Sequence, residues 1–179
     1  MRVDGVLKEG PVLRSTVDLA KATGLSLTEF DRLTYGQINH GIDHYHHFKI
    51  PKRSGGYRQL SSPSPELRQI QEWILNAILV NVIPHEAAAA YCPGRSVAHN
   101  AWRHASKGTV VRMDLLDFFP SITFRRVRET FASLGYEQKV AMALALLTTT
   151  GTGPSVSWHL PQGACTSPAL SNIVTFKLD

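Results

Sequence analysis

The stretch Val110–Ile122, VVRMDLLDFFPSI, constrains the fold of this chain more than any other. Its first half, VVRMDL, is rich in apolar and β-branched residues and predicts a short buried strand. Asp114 lies at the end of this strand, and Asp117 follows three residues later. Pro120 cannot continue a central strand, so we expect the strand to end before it.

Two interpretations of these carboxylates are open. A carboxylate buried at a strand end is unfavourable unless it binds a metal ion or pairs with a cation. Enzymes that transfer phosphoryl groups with two metal ions use carboxylates in this way. A lone pair of acids with this spacing is more often a solvated strand end, so the neighbouring motifs must decide between the two.

Composition sets only wide limits. The chain has 179 residues, 43% hydrophobic and 18% charged, which suits one globular domain or slightly more. Its 19 Lys and Arg residues against 14 Asp and Glu residues give a formal net charge of +5, compatible with a polyanionic partner but weak evidence for one. Two cysteines outside any metal-ligand spacing favour a reducing cytoplasm. The lack of a signal-like or long apolar segment argues against secretion and membrane spanning.

Capping patterns predict a small helical element after a loose lead-in over 1–13. Ser15 is placed to cap a helix over Thr16–Thr23. The sequence Ser26-Leu27-Thr28-Glu29 has the form of a capping box and predicts a second helix over Leu27–Leu33.

A β-hairpin with a basic tip is predicted next. Two strand-like segments, 44–50 and 57–60, flank a Gly-rich turn. The turn brings together Lys52, Arg53 and Arg58, which could hold a triphosphate or a phosphate backbone. A solvated basic turn is an equally good interpretation.

The rest of the chain is predicted to be mainly helical. Ser64-Pro65-Glu66 begins a long helix that ends before Pro84. A helix that Gly135 ends and a very apolar helix over Glu137–Leu147 follow Pro120. The histidines at 44, 46 and 47 have no further ligand at metal spacing, so we expect surface or structural roles for them.

Four motifs, in order along the chain, together resemble a bacterial reverse transcriptase of the retron type. IPKRSGGYR resembles the fingers hairpin of that family, and VVRMDLLDFFPSI resembles its first catalytic palm motif. LPQGACTSPALSN, residues 160–172, resembles the next palm motif, with Cys165 where the family often has Pro, a difference expected to alter packing of the turn. Asn100-Ala101-x-x-His104 matches the NAxxH element typical of retron enzymes.

The resemblance implies an α+β fold of the polymerase fingers and palm type, with an antiparallel sheet and helices on one face. It implies an N-terminal helical element over 1–35, fingers over 36–105 and a partial palm over 106–179. The activity implied is RNA-directed DNA polymerisation, which copies a structured RNA template into nascent DNA from dNTPs, with Mg²⁺ as cofactor. A cytoplasmic location and a role in antiviral defence are implied as well.

The resemblance also assigns roles at the first palm motif. Asp114 would be the catalytic carboxylate and first metal ligand, with the backbone carbonyl of Leu115 as a further ligand. Asp117 would lie near the triphosphate. Phe119 would be the steric gate that excludes a 2′-hydroxyl, a role compatible with a core position for its ring.

Nucleotide and RNA contacts are assigned elsewhere in the chain. By resemblance, Lys52 and Arg58 would clamp the incoming triphosphate, and Gln162 would pack beside the incoming nucleotide and template. RNA contacts would come from Arg53, Arg95, Asn100 and His104. From the residues alone, Arg95 could instead cap a neighbouring carbonyl, and His104 could be a hydrogen-bonded structural residue.

The palm is expected to be incomplete in these 179 residues. The family's remaining metal-binding acids lie in a YADD-type hairpin, and the sequence contains no Asp-Asp pair. The chain alone is therefore expected not to polymerise, and a second polypeptide carrying that hairpin and the thumb is a candidate partner. Apolar surface is expected to be uncovered over 141–147 and 173–178, with low stability or self-association as the result.

Three alternatives remain at this point. One is another enzyme of the same architecture, such as a group II intron maturase or another defence-type reverse transcriptase. A second is a non-catalytic RNA-binding remnant, or a subunit of a split reverse transcriptase. The third is an α+β domain without a nucleic-acid role, which four ordered motifs argue against.

Overall fold

The computed structural model describes residues 10–53, 55–151, 157–176 and 178. The predicted lead-in over 1–13 therefore lies partly outside the described residues. Within them the chain forms eight α-helices and one two-stranded antiparallel sheet, which confirms the predicted α+β class. The elements are α1 (Thr16–Ala22), α2 (Leu27–His40), β1 (Tyr45–Pro51), β2 (Tyr57–Pro63), α3 (Pro65–Ala77), a 3-10 turn (Leu79–Asn81), α4 (Val97–His104), α5 (Phe118–Ser121), α6 (Phe124–Ser133), α7 (Gln138–Thr148) and α8 (Ser167–Val174).

Serine caps begin three helices where the sequence predicts them. Ser15 accepts a hydrogen bond from the backbone of α1, Ser26 forms the reciprocal capping box with Glu29, and Ser64 caps α3. Each cap satisfies an N–H group that has no partner inside its helix. α2 extends to His40, past its predicted end, and so runs through the predicted boundary at residue 35.

The hairpin is fixed at its base and exposed at its tip. β1 and β2 pair in antiparallel register from Tyr45 opposite Pro63 to Pro51 opposite Tyr57. At the base, the buried Gln71 of α3 donates hydrogen bonds to the Tyr45 hydroxyl (2.8 Å) and to the carbonyl of Leu147 (2.9 Å). Burial also raises the pKa of the Tyr45 hydroxyl well above its usual value. One amide therefore ties the hairpin to both α3 and α7.

The core is organised around α7. Residues 143–147 of this helix are all buried, and the side chain of Phe131 in α6 is fully buried in the same core. The predicted buried apolar helix is confirmed, and the expectation of uncovered surface over 141–147 is wrong because the neighbouring helices cover that segment. Over 173–178, Ile173 is buried and Leu178 is exposed.

The predicted buried strand VVRMDL is wrong. Residues 109–115 form neither helix nor strand, and the side chains of Val111 and Met113 are 76% and 87% exposed. A strand needs a neighbouring strand to accept its backbone hydrogen bonds. Within the described ranges the only two strands, β1 and β2, pair with each other. The apolar residues that β-propensity places inside a sheet therefore lie at the surface.

The helix before this segment is exposed as well. α4 has no buried residue, and its Trp102 is 80% exposed. A membrane-spanning helix is not found in the described part of the chain.

Candidate functional site

An open cleft of about 470 Å³ lies between the hairpin and the segment that leads into α5. Its lining includes every residue that the sequence assigns to catalysis, metal or nucleotide: Lys52, Arg58, Asp114, Leu115, Asp117, Phe119 and Gln162. These residues come from three separate parts of the chain. The fold therefore brings the three predicted motifs to one place, and their roles stay predictions.

The two carboxylates of the cleft are free to bind a ligand. Asp114 lies in the exposed segment and Asp117 at the N-terminus of α5, where its backbone is left-handed (φ 46°). Neither carboxylate has a hydrogen bond or ion pair to another residue in the described ranges. Carboxylate and carbonyl oxygens are the ligands that Mg²⁺ prefers, so the donor chemistry of Asp114, Leu115 and Asp117 fits a hard divalent ion. No cluster of three or more His, Cys, Asp or Glu residues suited to a metal occurs among the described residues.

The cations of the cleft come from the hairpin. Lys52 follows β1 and Arg58 lies in β2 opposite Ile50, and both residues are exposed. Their side chains form no ion pair within the described ranges. The turn itself is closed by hydrogen bonds between Lys52 and the two glycines, with Gly55 and Gly56 at positive φ. The tip thus presents unpaired positive charge on a hydrogen-bonded turn, which suits a phosphate ligand.

Phe119 lies between the cleft and the core. Its ring is partly buried, packs against the hydrophobic core and stacks on Phe118 with ring centroids 5.7 Å apart. The ring thus packs on the core and also forms part of the cleft wall, and its role as a steric gate stays a prediction.

Gln162 is held against the hairpin through its backbone. The Ser61 N–H donates a 2.7 Å hydrogen bond to the Gln162 carbonyl, on the edge of β2 that faces away from β1. Gly163 follows at φ 123°, and a Cβ atom there would lie 2.9 Å from the Ser61 carbonyl oxygen. The close approach of these two backbones requires glycine at this position.

A polar chain supports Ser61 from the other side. The His47 ring contacts the Ser61 hydroxyl through Nδ1 (2.8 Å) and the Asp43 carboxylate through Nε2 (2.8 Å). His47 and Ser61 are direct cross-strand partners, and Ser61 is buried. Of the surface and structural roles expected for the histidines, His47 combines both, since it is exposed and makes two hydrogen bonds. The chain connects β1 through Ser61 to the turn that carries Gln162.

The four predicted RNA contacts lie outside the cleft lining. Arg53 is exposed on the hairpin tip, and Asn100 and His104 are exposed one helical turn apart on α4. Arg95 donates hydrogen bonds from Nη1 to the backbone carbonyls of His85 (2.7 Å), Glu86 (3.0 Å) and Ala88. Of the two roles considered for Arg95, the structure therefore favours carbonyl capping.

Sequence reasoning missed five residues of the cleft: Tyr57, Gln59, Tyr91, Leu116 and Phe118. Tyr57 and Gln59 flank Arg58, so their proximity to that residue was an available signal. Tyr91 lies far from the other motifs in sequence, and only the tertiary fold brings it to the cleft.

Comparison with known proteins gives a consistent family. Residues 50–179 match the family described as reverse transcriptase (RNA-dependent DNA polymerase). The chain is 36% identical over 179 residues to the retron Mx162 reverse transcriptase of Myxococcus xanthus, covering 93% of this chain and 37% of that protein. It is 39% identical over 182 residues to the retron Mx65 reverse transcriptase of the same organism, covering 94% and 42%. It is 30% identical over 171 residues to the retron Ec86 reverse transcriptase of Escherichia coli, covering 94% of this chain and 50% of that protein.

The chain thus spans half or less of the length of these relatives. The family match nevertheless covers most of this chain and includes both the first palm motif and the turn that carries Gln162. The chain belongs to the reverse transcriptase (RNA-dependent DNA polymerase) family, and the three relatives named above are retron reverse transcriptases.

Proposed function

We propose that this chain is part of an RNA-directed DNA polymerase of retron type and that its cleft takes the incoming deoxynucleoside triphosphate. The observation that carries the proposal is the meeting of Lys52 and Arg58 with Asp114 and Asp117 in one cleft. Unpaired cations attract a triphosphate, and free carboxylates supply oxygen ligands for the divalent ions that accompany it.

Each group of the cleft has a distinct task in this proposal. Lys52 and Arg58 donate hydrogen bonds to phosphate oxygens and orient the triphosphate. Asp114 holds a divalent ion, Mg²⁺ in this proposal, together with the carbonyl oxygen of Leu115, and Asp117 orients a basic residue beside the triphosphate. When bound, such ions promote attack by the primer 3′-hydroxyl and neutralise charge on the leaving pyrophosphate.

Two further residues select and place the nucleotide. In this proposal the flat ring of Phe119 excludes a ribose 2′-hydroxyl, and its packing against Phe118 and the core restricts its movement. Gln162 packs beside the incoming nucleotide and template in this proposal. The hydrogen bond between its carbonyl and the Ser61 N–H of β2 holds its backbone in place.

The division of the chain follows from the same proposal. The hairpin with α3 and α4 corresponds to fingers over 36–105, the residues before it to an N-terminal helical element, and 106–179 to a palm segment. The template would be a structured RNA, with Arg53, Asn100 and His104 as its contacts and Arg95 supporting the loop between α3 and α4. A cytoplasmic location fits the cysteine usage and stays a prediction.

RNA-templated dNTP incorporation by the natural gene product that contains this sequence tests the proposal. Asp114→Asn is expected to lower the incorporation rate by roughly 10²–10³-fold or more, because it removes a metal-binding charge. Phe119→Ala is expected to admit ribonucleotides while dNTP incorporation continues. Glu137→Gln, which changes an exposed carboxylate outside the cleft, is the matched control and should retain the normal rate. Normal incorporation by a correctly folded Asp114→Asn variant would overturn the proposal.

A non-catalytic RNA-binding module is the second candidate, and the exposure of α4 favours it. This helix buries no residue and carries Arg103 and His104 in its last turn. Binding of structured RNA by the chain, weakened by salt and unchanged by Asp114→Asn, together with no metal-dependent incorporation by the natural gene product, would favour this candidate.

A further inference from the structure

Tyr91 has an unfavourable backbone conformation beside the cleft. Its φ of 57° lies in the left-handed region, which bulky aromatic residues rarely adopt. Among the described residues other than glycine, positive φ occurs at Tyr91, Ser106 and Asp117, and two of these three line the cleft. Residues keep such conformations when their surroundings fix them, and they concentrate at functional sites.

Contacts on both sides of Tyr91 fix this conformation. Asn172 of α8 donates a hydrogen bond from Nδ2 to the carbonyl of Ala90 (2.9 Å) and lies 3.6 Å from the sulfur of Cys92. Cys92 is buried, and its thiol donates to the same Ala90 carbonyl (3.3 Å). A helix more than eighty residues away in sequence thus holds the two neighbours of Tyr91.

Residues 85–88, which precede Tyr91 in the same loop, also have several contacts. Arg95 donates to three carbonyls of this loop, and Arg103 of α4 donates to the Glu86 carbonyl (2.8 Å). His85 packs edge-to-face on Phe176, with ring centroids 5.1 Å apart. The loop between the 3-10 turn and α4 is therefore anchored at several points, and its backbone sets the position of the Tyr91 ring.

The ring itself is not used for packing. Tyr91 is 65% exposed, and its ring stacks on no other aromatic ring in the described part of the chain. It borders the same cleft as the cations Lys52 and Arg58 and the exposed Tyr57. Proteins that bind single-stranded nucleic acids combine cations that contact phosphates with aromatic rings that stack on the bases. Such stacking accepts any base, because every base has a π-face.

We propose that Tyr91 stacks on a nucleobase at the mouth of the cleft and that Asn172 is the positioning residue that holds it there. This inference rests on the proposed function, since it assumes that the cleft takes nucleotides. The base belongs either to a single-stranded nucleic acid or to a free nucleotide, and the two sources share the chemistry of stacking.

The test compares Tyr91→Phe, which keeps a ring, with Tyr91→Gly, which removes the ring and suits the positive φ. Fluorescence anisotropy measures the affinity of the chain for a labelled single-stranded RNA, for the same backbone without bases, and for a labelled dNTP with Mg²⁺. Tyr91→Gly is expected to weaken a base-containing ligand roughly 5- to 100-fold, while Tyr91→Phe stays within about 2-fold. Binding of the abasic strand should not change.

The pattern of losses identifies the source of the base. Weaker RNA binding with unchanged dNTP binding assigns the base to the strand, and the reverse pattern assigns it to the incoming nucleotide. Equal affinity of Tyr91→Gly and the parent chain for both ligands would overturn stacking. An equal loss for the abasic strand would overturn it too, because that loss would show a structural effect.

Two controls separate this inference from other outcomes. The urea midpoint of Tyr91→Gly should be unchanged or higher, since glycine relieves the strain, and a lower midpoint would contradict the strained conformation. Asn172→Ala should weaken base-containing ligands as well, and unchanged binding would remove its positioning role. If Lys52→Ala and Arg58→Ala leave dNTP binding unchanged while Tyr91→Gly still weakens RNA binding, the triphosphate site fails and the stacking site stands.

Discussion

At the scale of single residues, the backbone approach between Gly163 and Ser61 determines where Gln162 lies. Gly163 combines a positive φ with a site in which a Cβ atom would meet a backbone carbonyl oxygen. Gly135, which ends α6, also has a positive φ (97°), but open space surrounds its missing Cβ. A substitution at Gly135 therefore tests backbone strain alone, whereas one at Gly163 tests strain together with a steric clash.

Gly163→Ala is expected to lower the free energy of unfolding by about 2–4 kcal/mol, because strain and overlap add. Gly135→Ala should lower it by only about 1–2 kcal/mol, from strain alone. Urea titration of the two variants and the parent chain measures the difference. Equal losses would show that the turn carrying Gln162 does not pack against β2 as described.

Cys165 offers a test of burial beside the same turn. Burial disfavours the thiolate and raises the pKa of this thiol above its usual value. At neutral pH the folded protein then contains less Cys165 thiolate than the unfolded chain. We expect slower alkylation of Cys165 in the folded state, with a difference that narrows as pH rises beyond the thiol pKa. Peptide mass spectrometry follows this residue separately from Cys92, and faster alkylation in the folded state would contradict the burial.

At the residue scale, short motifs that resemble a known family singled out residues that the fold brings to one cleft, while their roles stay predictions. Asp114, Phe119, Lys52 and Gln162 were each predicted from a short motif, and all four line the cleft. Tyr91 could not be found in this way. Its place beside the cleft depends on hydrogen bonds from α8, and a single sequence does not reveal such distant contacts.

At the scale of elements, the hairpin connects its own basic tip with the turn that carries Gln162. β2 pairs with β1 on one edge, and on its other edge the Ser61 N–H donates a hydrogen bond to the Gln162 carbonyl. The chain Asp43–His47–Ser61 links the two edges, since the buried Ser61 takes part in both. Loss of His47 should therefore loosen a contact that lies on the opposite edge of the strand.

His47→Phe keeps an aromatic ring but removes both hydrogen bonds. We expect it to lower the free energy of unfolding by about 1–2 kcal/mol and to speed hydrogen exchange at the Ser61 amide. His46→Phe is the matched control, because His46 is the exposed neighbour that stacks on Phe48. Equal effects of the two substitutions on stability and exchange would argue against the polar chain.

Element prediction succeeded where local signals suffice and failed where they do not. Serine caps located the starts of α1 and α3, and a dense run of apolar residues located α7, because these signals act within a few residues. The strand over VVRMDL failed because strand formation depends on a partner that local sequence does not specify. The β-propensity of this segment reflects its apolar and β-branched residues, but it does not indicate whether another strand is available to pair with them.

At the scale of the whole molecule, five exposed apolar side chains form a run over residues 110–116, interrupted by the charged Arg112 and Asp114. Val110, Val111, Met113, Leu115 and Leu116 are 55–89% exposed. Exposed apolar groups of this kind favour association with another surface. This run lies outside the segments 141–147 and 173–178 and gives the expected self-association a further basis, and the self-association itself stays a prediction.

We expect the purified chain to self-associate through this run. Val111→Glu combined with Leu116→Glu should shift sedimentation velocity profiles towards monomer, because two buried charges would oppose the contact. Leu178→Glu, which changes an exposed apolar residue elsewhere, should leave association unchanged. A parent chain that sediments as a monomer at all concentrations would contradict this expectation.

Calorimetric binding of a dNTP with Mg²⁺ to the chain tests the central claim most directly. Lys52→Ala and Arg58→Ala should each weaken binding by roughly 10- to 100-fold, since each removes a charge-assisted hydrogen bond to phosphate. Lys21→Ala, in the last turn of α1, should bind like the parent chain. Affinities for Lys52→Ala and Arg58→Ala equal to that of Lys21→Ala would contradict the assignment of the cleft to a triphosphate.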